Sequence, residues 1–204
     1  MPYIKLSDFV YDCRQCHTRC DGRSKGVYRF EADATFSEHY EQIIIDRINR
    51  SSQYTAAKSA LPGYPDIEIK KTDGSLHHYL EVKVQQRTFM GIEKHLPESK
   101  LLPSETVALN LSDLLRYFKI EAETTVSTSL VWVLLNRLCL VNQNQEKMFF
   151  QKVSILKSIY EAEQLRRKFT RKSGEGDVVD GIHKGVIVNY HFSLKELKNW
   201  TSFA

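Results

Sequence analysis

The alternation of hydrophobic and polar positions predicts a chain in which helices and strands follow one another. Helices are predicted where apolar residues recur at the helical period or a capping residue precedes such a segment: 36–50, 111–120, 153–172 and 193–200. Strands are predicted at shorter apolar or alternating runs: 66–70, 78–84, 129–141 and 185–192. This order favours an α/β fold with a mixed central sheet flanked by helices.

A hairpin in the first half of the chain carries the most informative residues. A turn rich in proline and glycine precedes Asp66, and Asp73-Gly74 reverses the chain into the strand that contains Glu81 and Lys83. Because side chains alternate along a strand, Glu81 and Lys83 share one face. Antiparallel pairing around this turn predicts that Asp66 and Glu81 are cross-strand neighbours.

Two carboxylates and one ammonium at the same sheet edge suit the hydrolysis of phosphodiester bonds. Carboxylate oxygens are the ligands that Mg²⁺ prefers, and the ion keeps several positions for water and phosphate. The ammonium can orient or deprotonate the attacking water, or neutralise charge that develops on the phosphate. The alternative interpretation is a solvated surface hairpin in which Glu81 and Lys83 form a weak ion pair.

Pro65-Asp66 followed by Glu81-Val82-Lys83 resembles the motif of the PD-(D/E)xK nuclease superfamily. The resemblance covers about residues 36–140 and implies a restriction-endonuclease-like fold. It further implies that Asp66 and Glu81 bind Mg²⁺, for which Mn²⁺ can substitute, that the backbone carbonyl of Val82 can join them, and that Lys83 assists the attacking water.

The same resemblance implies two further site residues. The family often places an acidic residue on the helix before the first strand, and Glu41 is the candidate, with Glu38 as the alternative. Gln85 continues the face of Glu81 and Lys83, where some members carry a glutamine that supports the site.

The net charge of +4 is compatible with nucleic acid without requiring it. Basic residues cluster near the N-terminus, in the long polar loop predicted at 86–107, and near the end of the third predicted helix. These clusters are either phosphate contacts or solvated faces. The candidate DNA-binding residues are Arg87, Lys94, Lys100, Arg166, Arg167, Lys168 and Arg171.

Three cysteines near the N-terminus allow two interpretations. Phe9, Cys13, Cys16 and Cys20 recur at helical spacing, which favours a buried helix face. The Cys-x2-Cys spacing instead allows structural Zn²⁺ or an iron–sulfur cluster, but no second ligand pair follows in the sequence.

The length of 204 residues predicts a Cys-containing N-terminal segment (1–30) and one nuclease domain (31–204). The apolar stretch at 130–141 is too short for a membrane span, and the N-terminus lacks an apolar signal region, so a cytoplasmic location without membrane association is expected. The sequence predicts a Mg²⁺-dependent endonuclease that acts on DNA, with a homodimer suggested by family analogy. The alternatives are a structure-specific repair or recombination nuclease, an RNA-acting nuclease, and a non-catalytic nucleic-acid-binding protein of the same fold.

Overall fold

The computed structural model describes most of the chain, namely residues 3–6, 9–12, 30–85, 89–135, 146–171, 178–179, 182–183, 188–201 and 203. Several candidate residues from the sequence lie outside these described residues: Cys13, Cys16, Cys20 and Arg87.

The described residues form helices, short 3-10 turns and strands. The helices are α1 (Phe30–Asn49), α2 (Ile92–His95), α3 (Leu111–Thr124) and α4 (Val153–Glu163). The 3-10 turns are Pro97–Ser99, Pro103–Glu105, Gln164–Arg167 and Leu194–Glu196. The strands are β1 (Tyr3–Leu6), β2 (Phe9–Asp12), β3 (Tyr54–Lys58), β4 (Ile67–Lys71), β5 (Leu76–Gln85), β6 (Thr106–Asn110), β7 (Ser127–Leu135), β8 (Glu146–Lys152), β9 (Lys168–Thr170), β10 (Val178–Val179), β11 (Ile182–His183), β12 (Val188–Ser193) and β13 (Lys198–Asn199).

A six-stranded sheet with the order β13-β8-β7-β5-β4-β3 forms the centre of the fold. The strands β5 and β7 are parallel and are connected through α3, whereas the other neighbouring pairs are antiparallel. A smaller antiparallel sheet has the order β6-β12-β9. The prediction of an α/β fold with a mixed central sheet is therefore confirmed.

Helices cover both faces of the central sheet. On one face α1 packs Ile44 and Ile48 against alternate residues of β5 and β7, such as Val82 and Val131. On the other face α3 and α4 pack against the intervening residues, among them Trp132. Because strand residues alternate between faces, Glu81 and Lys83 lie on the face that α3 covers.

The long segment after β5 is more ordered than the predicted polar loop. It contains α2, two 3-10 turns and the first residues of β6. Ile92, Leu96 and Leu101 are buried in a small cluster of their own, with Phe89 and Phe169 packed against it. The loop prediction was wrong because these few, widely spaced apolar residues show no regular period, although together they make a local core.

Two predicted helices differ from the structure near the C-terminus. The third helix ends at Glu163 instead of residue 172, and Gln164 has a positive φ of 41°, which ends α-helical geometry. Residues 193–200 form a 3-10 turn and the short strand β13 instead of a helix. The backbone N–H of Trp200 donates to the carbonyl of Met148 at 2.9 Å, so pairing with β8 replaces the predicted helical hydrogen bonds.

Other differences concern strands that the sequence pattern missed. The sequence pattern predicts no strand where β3 and β8 lie. The residues before β8 lie outside the described ranges. In addition, β2 occupies Phe9–Asp12, so the helix predicted to start near Phe9 is wrong in its first residues. No helix of the described residues is long and apolar enough to cross a membrane.

Candidate functional site

The strand pair β4–β5 places Asp66 beside Glu81. Ile67 at the start of β4 is paired with Leu80 of β5, so Asp66, one residue earlier, stands opposite Glu81. Oδ2 of Asp66 accepts a hydrogen bond of 2.8 Å from the backbone N–H of Val82. This bond holds the carboxylate against β5, as the hairpin prediction requires.

Lys83 completes the group on the same face of β5. Its Nζ lies 2.5 Å from Oε1 of Glu81, whose side chain is buried. The Lys83 side chain is 31% exposed, so the site is open to solvent on the lysine side. The structure therefore brings Asp66, Glu81 and Lys83 together.

The helix α3 adds charged and hydroxyl groups that sequence reasoning missed. Oδ2 of Asp113 lies 4.0 Å from Nζ of Lys83, and Oδ1 of Asp113 lies 2.8 Å from Nη2 of Arg116. Tyr117 is buried close enough to Glu81 for the Glu81 charge to act on its hydroxyl. The available signal was the spacing i, i+3, i+4 of Asp113, Arg116 and Tyr117, which places them on one helix face.

Burial and charge crowding shift the pKa of the central acid. Removal from water and the neighbouring Glu81 carboxylate raise the pKa of Asp66 to about 7, although the Val82 N–H and Lys83 act in the opposite direction. Glu41 adds a smaller upward contribution to this pKa. Burial and the Glu81 carboxylate therefore outweigh the Val82 N–H and Lys83 in setting the pKa of Asp66.

The neighbouring groups respond to the same environment. Burial disfavours the Lys83 ammonium, but the adjacent Glu81 and the more distant Asp113 outweigh it and hold the pKa of Lys83 above its usual value. Burial, and then the charge of Glu81, raise the pKa of Tyr117. Lys83 is therefore a cation and Tyr117 a neutral hydrogen-bond donor at neutral pH.

Glu41 lies on α1 and borders the site from the helix side. Its side chain is buried, and Oε2 lies 3.2 Å from Nζ of Lys58 on β3. Glu38, the alternative, is exposed. The electrostatic effect of Glu41 on Asp66 makes Glu41 the better candidate of the two.

The donor set fits a hard divalent cation. Within the described residues, no three histidine, cysteine, aspartate or glutamate side chains are grouped closely enough to form an all-protein metal site. Mg²⁺ ordinarily takes only one or two carboxylates and fills its octahedron with water and substrate oxygens. Asp66 and Glu81 supply such a pair, and a cation between them would relieve the repulsion that contributes to the raised pKa of Asp66.

Gln85 connects the site strand to the smaller sheet. Its Oε1 accepts a 3.2 Å hydrogen bond from the backbone N–H of Ala108 on β6. The carbonyl of Ala108 accepts a 3.4 Å hydrogen bond from Nε1 of Trp132. Gln85 thus braces β6 against the central sheet, and a direct role at the Asp66–Glu81–Lys83 group stays a prediction.

The basic residues proposed for DNA binding occupy different environments. Lys94, Lys100 and Arg166 are exposed, and Lys168 and Arg171 are half-buried. The prediction that Arg167 binds DNA is wrong. Its side chain is only 8% exposed, and it forms ion pairs with Glu196 at 2.7 Å and Glu163 at 3.5 Å. A buried guanidinium with two carboxylate partners is not available to a phosphate.

Arg167→Ala is expected to destabilise the fold by roughly 3 kcal/mol, because removing one member of a buried ion pair leaves the other without its partner. Arg166→Ala is the matched control, since Arg166 is exposed, pairs with the same Glu163 at 3.1 Å, and surface pairs contribute less than about 1 kcal/mol. Urea unfolding measures both variants. Equal stabilities for the two would contradict the structural role of Arg167.

Asp66→Asn is expected to make the metal-free protein more stable than wild type at about pH 8, and to lose this advantage near pH 4. The pKa of Asp66 is raised from 3.8 to about 7 on folding, so the folded state holds the extra proton between these values. Wild-type stability therefore falls as the pH rises through this window, while asparagine has no proton to lose.

Thermal unfolding in EDTA across this pH range tests the expectation. Asp73→Asn is the control, because its hydrogen bonds from Ser75 lower the pKa of Asp73 and reverse the sign of the effect. Above about pH 5 the Asp73 variant should be less stable than wild type by an amount that no longer changes with pH, because the lowered pKa of Asp73 confines its titration to lower pH. A pH-independent difference between Asp66→Asn and wild type would contradict the buried, crowded state of this carboxyl.

Together, the fold and the site define an α/β protein with an acidic, lysine-containing site on its central sheet. No protein-family model matches the chain, and no curated protein matches it. Among solved structures, the chain is similar to Hjc of Archaeoglobus fulgidus, a Holliday junction resolvase from an archaeal hyperthermophile, with a TM-score of 0.41 and 9% identity over 79% of this chain and 86% of that chain. A similarity of this extent does not place the chain in a family, so the site's own geometry has to support any function.

Proposed function

We propose that the protein is a Mg²⁺-dependent nuclease that hydrolyses phosphodiester bonds of DNA. The observation that supports this most is the convergence of Asp66, Glu81 and Lys83 on one face of the β4–β5 pair. By the resemblance of Pro65-Asp66 and Glu81-Val82-Lys83 to the PD-(D/E)xK motif, the proposal extends to a restriction-endonuclease-like endonuclease that acts as a homodimer.

Asp66 and Glu81 would hold the cation, with the Val82 carbonyl as a further donor, and the charge of Glu41 would add to the attraction for the ion. When bound, Mg²⁺ polarises the phosphoryl oxygen and lowers the pKa of a water molecule. The Val82 N–H keeps Asp66 turned toward β5, and the ion pair with Lys83 holds Glu81 in place. These contacts reduce the reorganisation needed when a cation and a phosphate arrive.

The electrostatics favour one of the possible roles of Lys83. Because neighbouring carboxylates outweigh the effect of burial and keep its pKa above the usual value, Lys83 is protonated at neutral pH. In the metal-free protein Lys83 is therefore a hydrogen-bond donor, a state that suits orienting the attacking water or neutralising charge on the phosphate.

The test incubates purified protein with supercoiled plasmid DNA, with Mg²⁺, Mn²⁺ or EDTA. Cleavage that requires the divalent ion and disappears in both Asp66→Asn and Lys83→Gln supports the proposal. Undiminished cleavage by both variants, or cleavage that persists in EDTA, would overturn it. Labelled duplex, four-way junction, flap and RNA substrates then separate a restriction-like activity from a structure-specific or RNA-acting one.

A further inference from the structure

Arg116 lies on the second turn of α3, beside the proposed catalytic group. Its side chain is 44% exposed, more than the 31% of Lys83. Asp113 connects the two cations, since its carboxylate is 2.8 Å from Nη2 of Arg116 and 4.0 Å from Nζ of Lys83. Arg116 is therefore the more accessible of the two cations at this site.

The guanidinium of Arg116 is held in place from two sides. It lies over the ring of Tyr117, 5.3 Å from the ring centroid, and Tyr117 itself is buried. Its ion pair with Asp113 and its hydrogen bond to the Tyr117 hydroxyl (3.5 Å) both use Nη2. A guanidinium carries five N–H donors, so these two contacts do not exhaust its capacity to bind a further oxygen.

A guanidinium fixed in this way suits a phosphate. Its planar fork matches two phosphate oxygens, and the bidentate geometry is stronger than a contact from a lysine ammonium. A side chain that is already held by neighbours loses less conformational freedom on binding. By contrast, Lys83 is engaged by Glu81 at 2.5 Å and is less free to turn outward.

We propose that Arg116 binds a backbone phosphate of the nucleic-acid substrate at this site, oriented for that contact by Asp113 and the ring of Tyr117. This inference rests on the proposed nuclease function for the identity of the ligand. In this proposal α3 contacts the substrate, whereas the β4–β5 pair carries the proposed catalytic residues.

The experiment measures binding separately from cleavage. Fluorescence anisotropy of a labelled DNA duplex in EDTA gives the affinity at several KCl concentrations for wild type, Arg116→Ala, Arg116→Lys and Arg47→Ala. Arg47 is a matched control on α1: its side chain is 42% exposed, it pairs with Glu146 at 3.1 Å, and it lies 5.9 Å from the ring centroid of Trp200.

Arg116→Ala is expected to weaken binding several-fold at low salt and to reduce the slope of log affinity against log salt by about one, the value for a lost phosphate contact. Arg116→Lys should keep most of the slope but bind more weakly than wild type, since the charge remains and the fork is lost. Arg47→Ala should match wild type. An unchanged slope in Arg116→Ala, an equal loss in Arg47→Ala, or no DNA binding by wild type would overturn the proposal.

The outcome is distinguishable from failure of the nuclease proposal. If wild type binds with the Arg116-dependent slope but cleaves no substrate with any divalent ion, the nuclease function fails and the phosphate contact stands. If wild type cleaves DNA and Arg116→Ala keeps the wild-type slope, the phosphate contact fails alone. Circular dichroism and thermal midpoints of each variant check the fold, and Arg116→Gln, which also removes the charge, supplies the slope test should the alanine variant unfold.

Discussion

Lys83→Gln is expected to lower the rate of Mg²⁺-dependent DNA cleavage by about 10²- to 10⁴-fold, the range for losing a positioned proton-transfer or charge-stabilising group. Glutamine keeps a hydrogen-bond donor of similar reach but removes the positive charge beside Glu81. The charge is the part that can neutralise a developing phosphate anion, so the loss should fall mainly on kcat. Single-turnover cleavage at saturating protein measures it.

The fold should survive this substitution, which separates a chemical role from a structural one. Lys83 is partly exposed, unlike the buried Arg167, so we expect loss of its ion pair with Glu81 to lower the thermal midpoint by a few degrees. Lys157→Gln is the control, since Lys157 pairs with Glu161 at 4.0 Å on the surface of α4. Cleavage by Lys83→Gln at the rate of the Lys157 variant would contradict the proposed site.

Trp132→Ala is expected to destabilise the protein by about 3–5 kcal/mol, the usual cost of truncating a buried aromatic residue. Trp132 is 0% exposed and lies on β7, where it pairs with Lys83 of β5 in the parallel register. The substitution removes ring contacts in the core under α3 and the hydrogen bond to the Ala108 carbonyl. For a chain of this length the thermal midpoint should fall by roughly 10 °C.

Two further variants serve as controls for this stability test. Trp132→Phe keeps most of the packing but loses the hydrogen bond. We expect the lost hydrogen bond to lower the free energy of unfolding by roughly 1 kcal/mol, in addition to the effect of the smaller ring. Leu165→Ala is the surface control, because Leu165 is 74% exposed. A Trp132→Ala variant as stable as Leu165→Ala would contradict the position of Trp132 in the core.

The hairpin with Asp66, Glu81 and Lys83 could be predicted because every determinant is local. The turn at Asp73-Gly74, the alternation of β5 and the short separation along the chain all lie within one segment. Strand alternation assigns Glu81 and Lys83 to the same face whatever packs above it. The register Ile67–Leu80 then places Asp66 beside them, as predicted.

The contribution of α3 could not be predicted in the same way. The apolar period of residues 111–120 predicts the helix but not its orientation, and in the structure Leu115 is exposed whereas Tyr117 is buried. Which side of a helix meets a sheet depends on the crossover from β5 to β7, a long-range feature. Asp113, Arg116 and Tyr117 join the site only through that orientation.

The C-terminal region shows local preference overridden by tertiary pairing. The helix at 193–200 is predicted from a capping residue, and the structure shows a capping box there, with Ser193 accepting from the Lys195 N–H and Glu196 accepting from the Ser193 N–H. It starts only one 3-10 turn, because Lys198 then pairs with Phe150 on the edge of the central sheet. A cap contributes about 1 kcal/mol, which sheet pairing and burial of Trp200 can exceed.

The sequence by itself therefore determined the α/β class and the Asp66–Glu81–Lys83 group, since periodicity and turn chemistry act over a few residues. Only the tertiary structure decided that Arg167 is paired in the interior with Glu196, 29 residues away, and that Arg116 borders the site. Burial and charge pairing depend on residues distant in the chain, so a basic cluster in the sequence cannot reveal which of its members face solvent.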